Sequence, residues 1–185
     1  MSKSAAVILW TLMCGGVALA QGAGDKTISQ VLDNDVKMIE GEFVSAAEAM
    51  PEDKYGFAPT NGEFKGVRTF ADQVKHVAAV NYLVGAAILG EKIPVDTGGE
   101  SGPASMKSKA DIVAFAKQSF EYAHKAVASI TAENATKAVK SPFGDNMTTR
   151  LGLGNVFAWH GFDHYGQMAV YLRSNGIVPP ASRGQ

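Results

Sequence analysis

Residues 149–174, TRLGLGNVFAWHGFDHYGQMAVYLRS, decide the fold of this chain. Apolar residues and histidines recur there at steps of three and four, which is the period of one helix face. The residues on this face are Leu153, Phe157, His160, His164, Met168 and Tyr171. The stretch ends at Asn175-Gly176, and Pro179-Pro180 follows, as is typical of a helix C-terminus. We therefore predict a long helix whose inward face carries two histidines.

Three further stretches have the same periodicity and predict helices over residues 27–50, 70–89 and 109–130. Thr27 or Ser29, Thr69 and Ser108 precede them as N-caps. Pro51 stops the first helix and Gly90 the second.

The connections at 51–68 and 93–105 are rich in Pro and Gly and show no convincing strand pattern. Both are long for links between helices, so each could cross the bundle or cover a site. Four long amphipathic helices in one small domain predict an all-α fold, an antiparallel four-helix bundle with long connecting loops. The up-and-down order of the helices does not follow from the sequence.

The first 20 residues have the pattern of a secretory signal peptide. Lys3 is followed by a short apolar stretch, and Ala18-Leu19-Ala20 provides the small residues preferred before a cleavage site. An uncleaved anchor or a lipoprotein at Cys14 is the alternative, although Met13 is bulky for a lipoprotein site. We predict a domain over residues 21–185 that is periplasmic or secreted, with no stable membrane insertion after cleavage.

Cys14 is the only cysteine, so the chain after cleavage would contain neither a disulfide nor a thiolate ligand. A transition-metal site would have to use His, Asp, Glu and water. The net charge is −1 and no run of Lys or Arg occurs, which gives nucleic-acid binding little support.

The candidate site consists of three histidines. His160 and His164 are four residues apart, so both imidazoles lie on one helix face, and His76 lies in the second helix. Three imidazoles would bind a divalent transition metal such as Zn, Ni or Fe and leave a coordination position open, and copper would also accept them. The alternative is that these are core histidines satisfied by ordinary hydrogen bonds.

Other polar and aromatic residues are weaker candidates. His124 is expected on a solvated surface, and Glu40 and Glu42 are expected to face solvent, although one of them could reach the cleft. Asp163 lies about 100° around the helix from His164, which argues against ligation of the same ion. Gln167 could support a ligand or contact a substrate. Packing is the expected role of three aromatic residues: Tyr82, Trp159 and Tyr165.

Three segments resemble the DinB-like (DinB/YfiT) superfamily. They are Met50–Tyr55 with Ala58-Pro59-Thr60; Val67–Phe70 with Gln73 and His76-Val77-Ala78; and Phe162–Gln167 running on to Pro180. The resemblance covers most of residues 27–183. It implies a four-helix bundle that binds a divalent ion through His76, His160 and His164. Relatives include thiol-dependent transferases and isomerases, but an exported member would lie outside the cytoplasmic thiol pool.

We therefore predict a metal-dependent hydrolase or transferase acting on an unknown small-molecule substrate. A non-catalytic metal carrier or sensor of the periplasm is the main alternative. A b-type haem bundle with a Met axial ligand is another, since Met38 lies on the first helix. The sequence leaves open the identity of the metal, a fourth protein ligand, and whether the chain acts alone or as a homodimer.

Overall fold

The computed structural model describes residues 24–184 of the chain, most of which form four α-helices. The helices are α1 (Ile28–Ala49), α2 (Phe70–Leu89), α3 (Lys109–Ala128) and α4 (Arg150–Ser174). Their bounds lie within two residues of the predicted ones. The predicted signal peptide, residues 1–20, lies outside the described residues.

The helix ends follow from local hydrogen bonds. The side chains of Thr27, Thr69, Ser108 and Thr149 each accept a bond from a backbone N–H in the first turn of the helix that follows. At Thr27 the side chain of Gln30 also accepts a bond from the Thr27 backbone N–H, which completes a capping box.

A short antiparallel hairpin between α3 and α4 was not predicted. It consists of β1 (Ala138–Lys140) and β2 (Met147–Thr149), with Val139 opposite Thr148. Each strand has three residues, which is too few to produce a recognisable alternation of apolar and polar positions. The hairpin ends directly at Thr149, the N-cap of α4.

The predicted four-helix bundle is confirmed, and contacts between helices give its topology. Two neighbouring pairs are antiparallel: α1 with α3, through Asp33–His124 and Glu48–Lys117, and α2 with α4, through Gln73–Gln167 and Ile88–Arg150. The other two are parallel: α1 with α4, where Leu32 lies at Gly154 and Ile39 at Gly161, and α2 with α3, through Asn81–Ser119 and Glu91–Lys125.

The parallel arrangement of α2 and α3 explains the long connection between them. A chain that leaves the C-terminus of one helix must return along the whole bundle to begin a parallel neighbour. The connection therefore runs back beside α2, and Gly102 passes against Lys75. A Cβ at Gly102 would lie 2.5 Å from the Lys75 Cβ, and the φ of Gly102 is +78°, so glycine is required there on both counts. The expectation that one loop crosses the bundle is met by this segment.

The core lies between the four helices and is made of Phe, Ile, Leu, Val and Ala side chains. Helix α4 approaches α1 closely at Gly161, where a Cβ would lie 2.5 Å from Cγ1 of Ile39. His160, the residue before Gly161, is half-buried and faces His76 of α2. None of the helices in residues 24–184 is long and apolar enough to cross a membrane.

Candidate metal centre

The structure brings His76, His160 and His164 together between α2 and α4. One ligand nitrogen from each histidine lies within 4.8 Å of the other two. Because α2 and α4 are antiparallel, one residue of α2 lies opposite both histidines of the i,i+4 pair on α4. His76 and His164 are only 5% and 6% exposed, whereas His160 is half-buried. The cluster is thus open to solvent on the side of His160.

The crossing connection orients His76. Nδ1 of His76 lies at hydrogen-bond distance from the backbone carbonyl oxygen of Glu100. A carbonyl can only accept, so Nδ1 carries the proton and Nε2 keeps its lone pair. That lone pair faces the other histidines, since Nε2 of His76 lies 3.1 Å from Nε2 of His160. No sequence pattern signals a backbone acceptor of this kind.

A chain of side chains orients His164. Asp163 is acceptor-only when ionised, so Gln167 donates to it through Nε2, at 3.3 Å. Oε1 of Gln167 then accepts from Nε2 of Gln73, at 2.8 Å, and Oε1 of Gln73 accepts from Nδ1 of His164. Each amide orientation follows from the one before it. The Asp163 carboxylate therefore determines that Nε2 of His164 is the unprotonated nitrogen.

Gln73 was not assigned a role from the sequence, although Gln167 was expected near the site. Gln73 is 1% exposed and makes two hydrogen bonds, one to each neighbour in this chain. A signal was present, because Gln73 precedes His76 by three and so shares its helix face. A glutamine on a buried face must have polar partners, and here the partner is a histidine of the cluster.

Burial makes the histidines neutral. The pKa of His160 is lowered to about 3 and that of His164 to about 4, chiefly by desolvation and then by the neighbouring imidazoles. The pKa of His76 is also lowered, again mainly by burial. The positive charge of Arg68 contributes to the lowering at all three histidines. Neutral imidazoles are the form that binds metal ions.

The cluster fits a divalent transition metal. Two nitrogens at about 2.0–2.1 Å from one tetrahedral ion lie about 3.3 Å apart, close to the separation of Nε2 in His76 and His160. Two of the three histidines donate their other N–H to a protein acceptor, as metal-bound histidines usually do. The three neutral imidazoles thus place ligand nitrogens within 4.8 Å of one another, as a metal site requires.

A cleft of about 330 Å³ lies beside the cluster. It is lined by Gly66, Val67, Arg68, Asp72 and Ser101. Ser101 follows Glu100, whose carbonyl accepts from His76, and Asp72 lies one helical turn before His76, so the cleft lies near the cluster although no histidine lines it. On the other side, the ring of Trp159 is 60% exposed and meets His160 edge to face, with centroids 6.0 Å apart.

Several other candidates lie outside the centre. His124 differs from the prediction of a solvated surface: it is partly buried between α1 and α3, and its two ring nitrogens lie 2.6 Å from Asp33 and 3.0 Å from Glu40. Glu40 is therefore engaged away from the cleft. Tyr82 is in the core against Phe115, as expected of a packing residue.

The haem alternative required Met38 to face the interior of the bundle. Met38 is instead 58% exposed on the outside of α1. That position therefore offers no axial methionine to the interior of the bundle.

A family model described as the DinB superfamily matches residues 38–168, more than two thirds of the chain. The match includes all three histidines. The chain belongs to the DinB superfamily, as the sequence motifs indicated. Among curated proteins, no match was found.

Solved structures with the same fold are DinB-like proteins of low sequence identity. YjoA from Bacillus subtilis is 20% identical, with 79% of this chain and 92% of that one covered and a TM-score of 0.60. A DinB-like protein from Bacillus cereus is 14% identical, with 82% and 95% covered and a TM-score of 0.64. YfiT from Bacillus subtilis is 16% identical, with 80% and 88% covered and a TM-score of 0.58. YfiT is described as a probable metal-dependent hydrolase with an unusual four-helix bundle topology.

Proposed function

We propose that this protein is a metal-dependent hydrolase in which His76, His160 and His164 bind a divalent transition metal through Nε2. The observation that carries the proposal is the pair of Nδ1 hydrogen bonds, to the Glu100 carbonyl and to Gln73, which direct unprotonated nitrogens at one point. The description of YfiT as a probable metal-dependent hydrolase supports the reaction class.

Three protein ligands leave a coordination position for water or a substrate oxygen. An ion there would supply Lewis-acid activation and lower the pKa of water towards neutrality. The residues of the chain perform the remaining tasks. Gln73 and the Glu100 carbonyl hold two imidazoles in place, and the apolar core behind them excludes water from one side.

The cleft beside Arg68 favours an enzyme over a metal carrier or sensor. A carrier needs an exchangeable ion and no adjoining space for a substrate, whereas this centre opens beside a cleft of about 330 Å³. Metal-activated transfer to a nucleophile other than water would use the same ligands. The signal-like residues 1–20 support the further proposal that the enzyme is exported.

The test is metal content and thermal stability of the purified chain, with and without a chelator. We expect close to one ion per chain, a lower Tm after chelation, and loss of both effects in His160→Ala. His124→Gln is the matched control, because it removes an imidazole at the α1–α3 interface and should keep the ion. If wild type and His160→Ala took up equal amounts of metal, the proposal would be wrong.

Turnover is tested with a panel of chromogenic esters, amides and phosphoesters. Hydrolysis that requires metal and disappears in His160→Ala would support the hydrolase. Tight metal binding with no turnover of any compound would instead favour the carrier.

N-terminal sequencing of the protein recovered from the producing cells tests export, with Gln21 as the expected first residue.

A further inference from the structure

Arg68 is a cation near the centre whose side chain has no protein partner within residues 24–184. Arg68 is exposed, and within residues 24–184 its guanidinium makes no ion pair and no side-chain hydrogen bond. Most exposed cations would need no explanation. Arg68 lines the cleft near the centre, and its positive charge lowers the pKa of all three histidines.

The backbone of Arg68 is held firmly. Its carbonyl oxygen accepts a hydrogen bond from the hydroxyl of Tyr171 on α4, at 3.0 Å. The next residue, Thr69, caps α2, and the N–H of Phe70 donates to the carbonyl of Phe57 at 2.8 Å. The backbone that carries the guanidinium is therefore fixed at the mouth of the cleft, so little backbone ordering is required when Arg68 binds a ligand.

The acidic residue nearest in the cleft does not neutralise Arg68. Both carboxylate oxygens of Asp72 are engaged, Oδ1 with Nζ of Lys75 at 3.2 Å and Oδ2 with the hydroxyl of Thr69 at 2.7 Å. Two other carboxylates act on the cluster: Glu100 raises the pKa of His76, and Asp163 raises that of His164. Asp163 is bonded to Gln167, and neither carboxylate forms an ion pair with Arg68.

A cation near a bound dication is repelled by it, and an anion between the two would offset that repulsion. From the cleft, the unpaired guanidinium and the three-histidine centre, we infer that the substrate carries an anionic group, a carboxylate or a phosphate, which Arg68 binds. A guanidinium suits both groups because its planar fork binds two oxygens at once. This inference rests on the proposed function, since the other end of the substrate would meet the metal.

The test uses the full chain loaded with Co²⁺, whose visible absorption reports what enters the open coordination position. Titrants are acetate, succinate and inorganic phosphate. Acetate can reach the metal alone, whereas succinate and phosphate carry enough negative charge and oxygens to engage Arg68 as well. We expect Arg68→Gln to weaken succinate or phosphate binding about tenfold and to change acetate binding little. Arg68→Lys should lie between wild type and Arg68→Gln.

Lys92→Gln is the matched control. It removes one exposed positive charge just beyond the C-terminus of α2, about 20 Å from His76 by the helical rise. It should leave all three affinities unchanged. A larger effect of Arg68→Gln on succinate would identify the group as a carboxylate, and a larger effect on phosphate would identify a phosphate.

The same titrations on metal-free protein, followed by NMR chemical shifts, separate the two proposals. Cobalt uptake with equal anion affinities in wild type and Arg68→Gln would overturn the inference alone. Anion binding that depends on Arg68 without any cobalt uptake would uphold the anion site and overturn the metal centre. If neither were seen, both would be wrong.

Discussion

Replacing Gln73 with leucine removes the acceptor that fixes His164 without touching a ligand. Leucine ends one atom short of the glutamine amide and the site is 1% exposed, so an apolar side chain takes the place of the acceptor in a buried position. Nδ1–H of His164 loses its acceptor, and Nε2 of Gln73 no longer donates to Gln167. In the metal-free variant, His164 is free to move its proton to Nε2, the nitrogen that must bind the metal.

The expected loss follows from these contacts. Removing the outer partner of a metal-bound histidine lowers metal affinity about 10–100-fold, which is about 1.4–2.8 kcal/mol. The range agrees with the cost of about 1–3 kcal/mol for a buried donor left without an acceptor. Gln73→Glu should lose much less, because a carboxylate still accepts from Nδ1 and strengthens the imidazole as a ligand.

The assay is competition for Zn²⁺ with a chromogenic chelator at pH 7.5, for wild type, Gln73→Leu, Gln73→Glu and Gln167→Leu. Gln167 is exposed and one bond further from His164, so its loss should weaken binding less than threefold or so. Equal Zn²⁺ affinity in wild type and Gln73→Leu would refute the argument that this hydrogen bond sets the tautomer of His164.

Three further predictions concern pH and two glycines. The unfolded chain takes up protons at His160 and His164 below about pH 6.5, whereas in the folded state the pKa values are about 3 and about 4. The free energy of unfolding of the metal-free protein should therefore fall as the pH drops from 6.5 to 4, which urea titrations measure. When both residues are glutamine, the free energy of unfolding should depend less on pH. The same pH dependence in that variant would contradict the prediction. Gly161→Ala should destabilise the fold by about 1–3 kcal/mol, because the new Cβ would collide with Ile39. In a double-mutant cycle, Ile39→Ala should recover part of that loss. Additive losses of stability would count against the contact. Gly102→Ala should displace the crossing connection and weaken Zn²⁺ binding tenfold or more. Gly144→Ala is the control, because Gly144 has a similar φ of +81° but open space around it, and it should change stability alone. Equal Zn²⁺ affinities in the two variants would show that the Glu100 carbonyl is unimportant.

Much of the fold could be predicted because helical periodicity and capping residues are local signals. Thr69 and Gly90 bound α2 as predicted, since an N-cap and a left-handed C-cap depend on residues within one turn. The direction of each helix relative to its neighbours could not be predicted. It depends on contacts such as Ile39–Gly161, between residues more than 100 positions apart, which leave no local pattern.

In the site, too, the locally encoded residues could be predicted and the groups that depend on tertiary contacts could not. His160 and His164 are linked by helical spacing, and His76 lies in another predicted helix, so the three could be named together. The groups that orient them escaped prediction for two different reasons. The acceptor for His76 is a backbone carbonyl, which every residue possesses. The partner of His164 is Gln73, whose importance depends on burial between two helices.

The two acceptors differ in how they respond to a change in the gene. A single codon change at position 73 replaces the amide that holds His164. By contrast, every amino acid at position 100 still presents a carbonyl oxygen to His76, even proline. A substitution at Gly102 would disturb this contact instead, because any side chain there would collide with Lys75 and displace the connection that carries the Glu100 carbonyl. Among natural variants of this protein, residue 100 should be free to change, while position 102 should remain glycine.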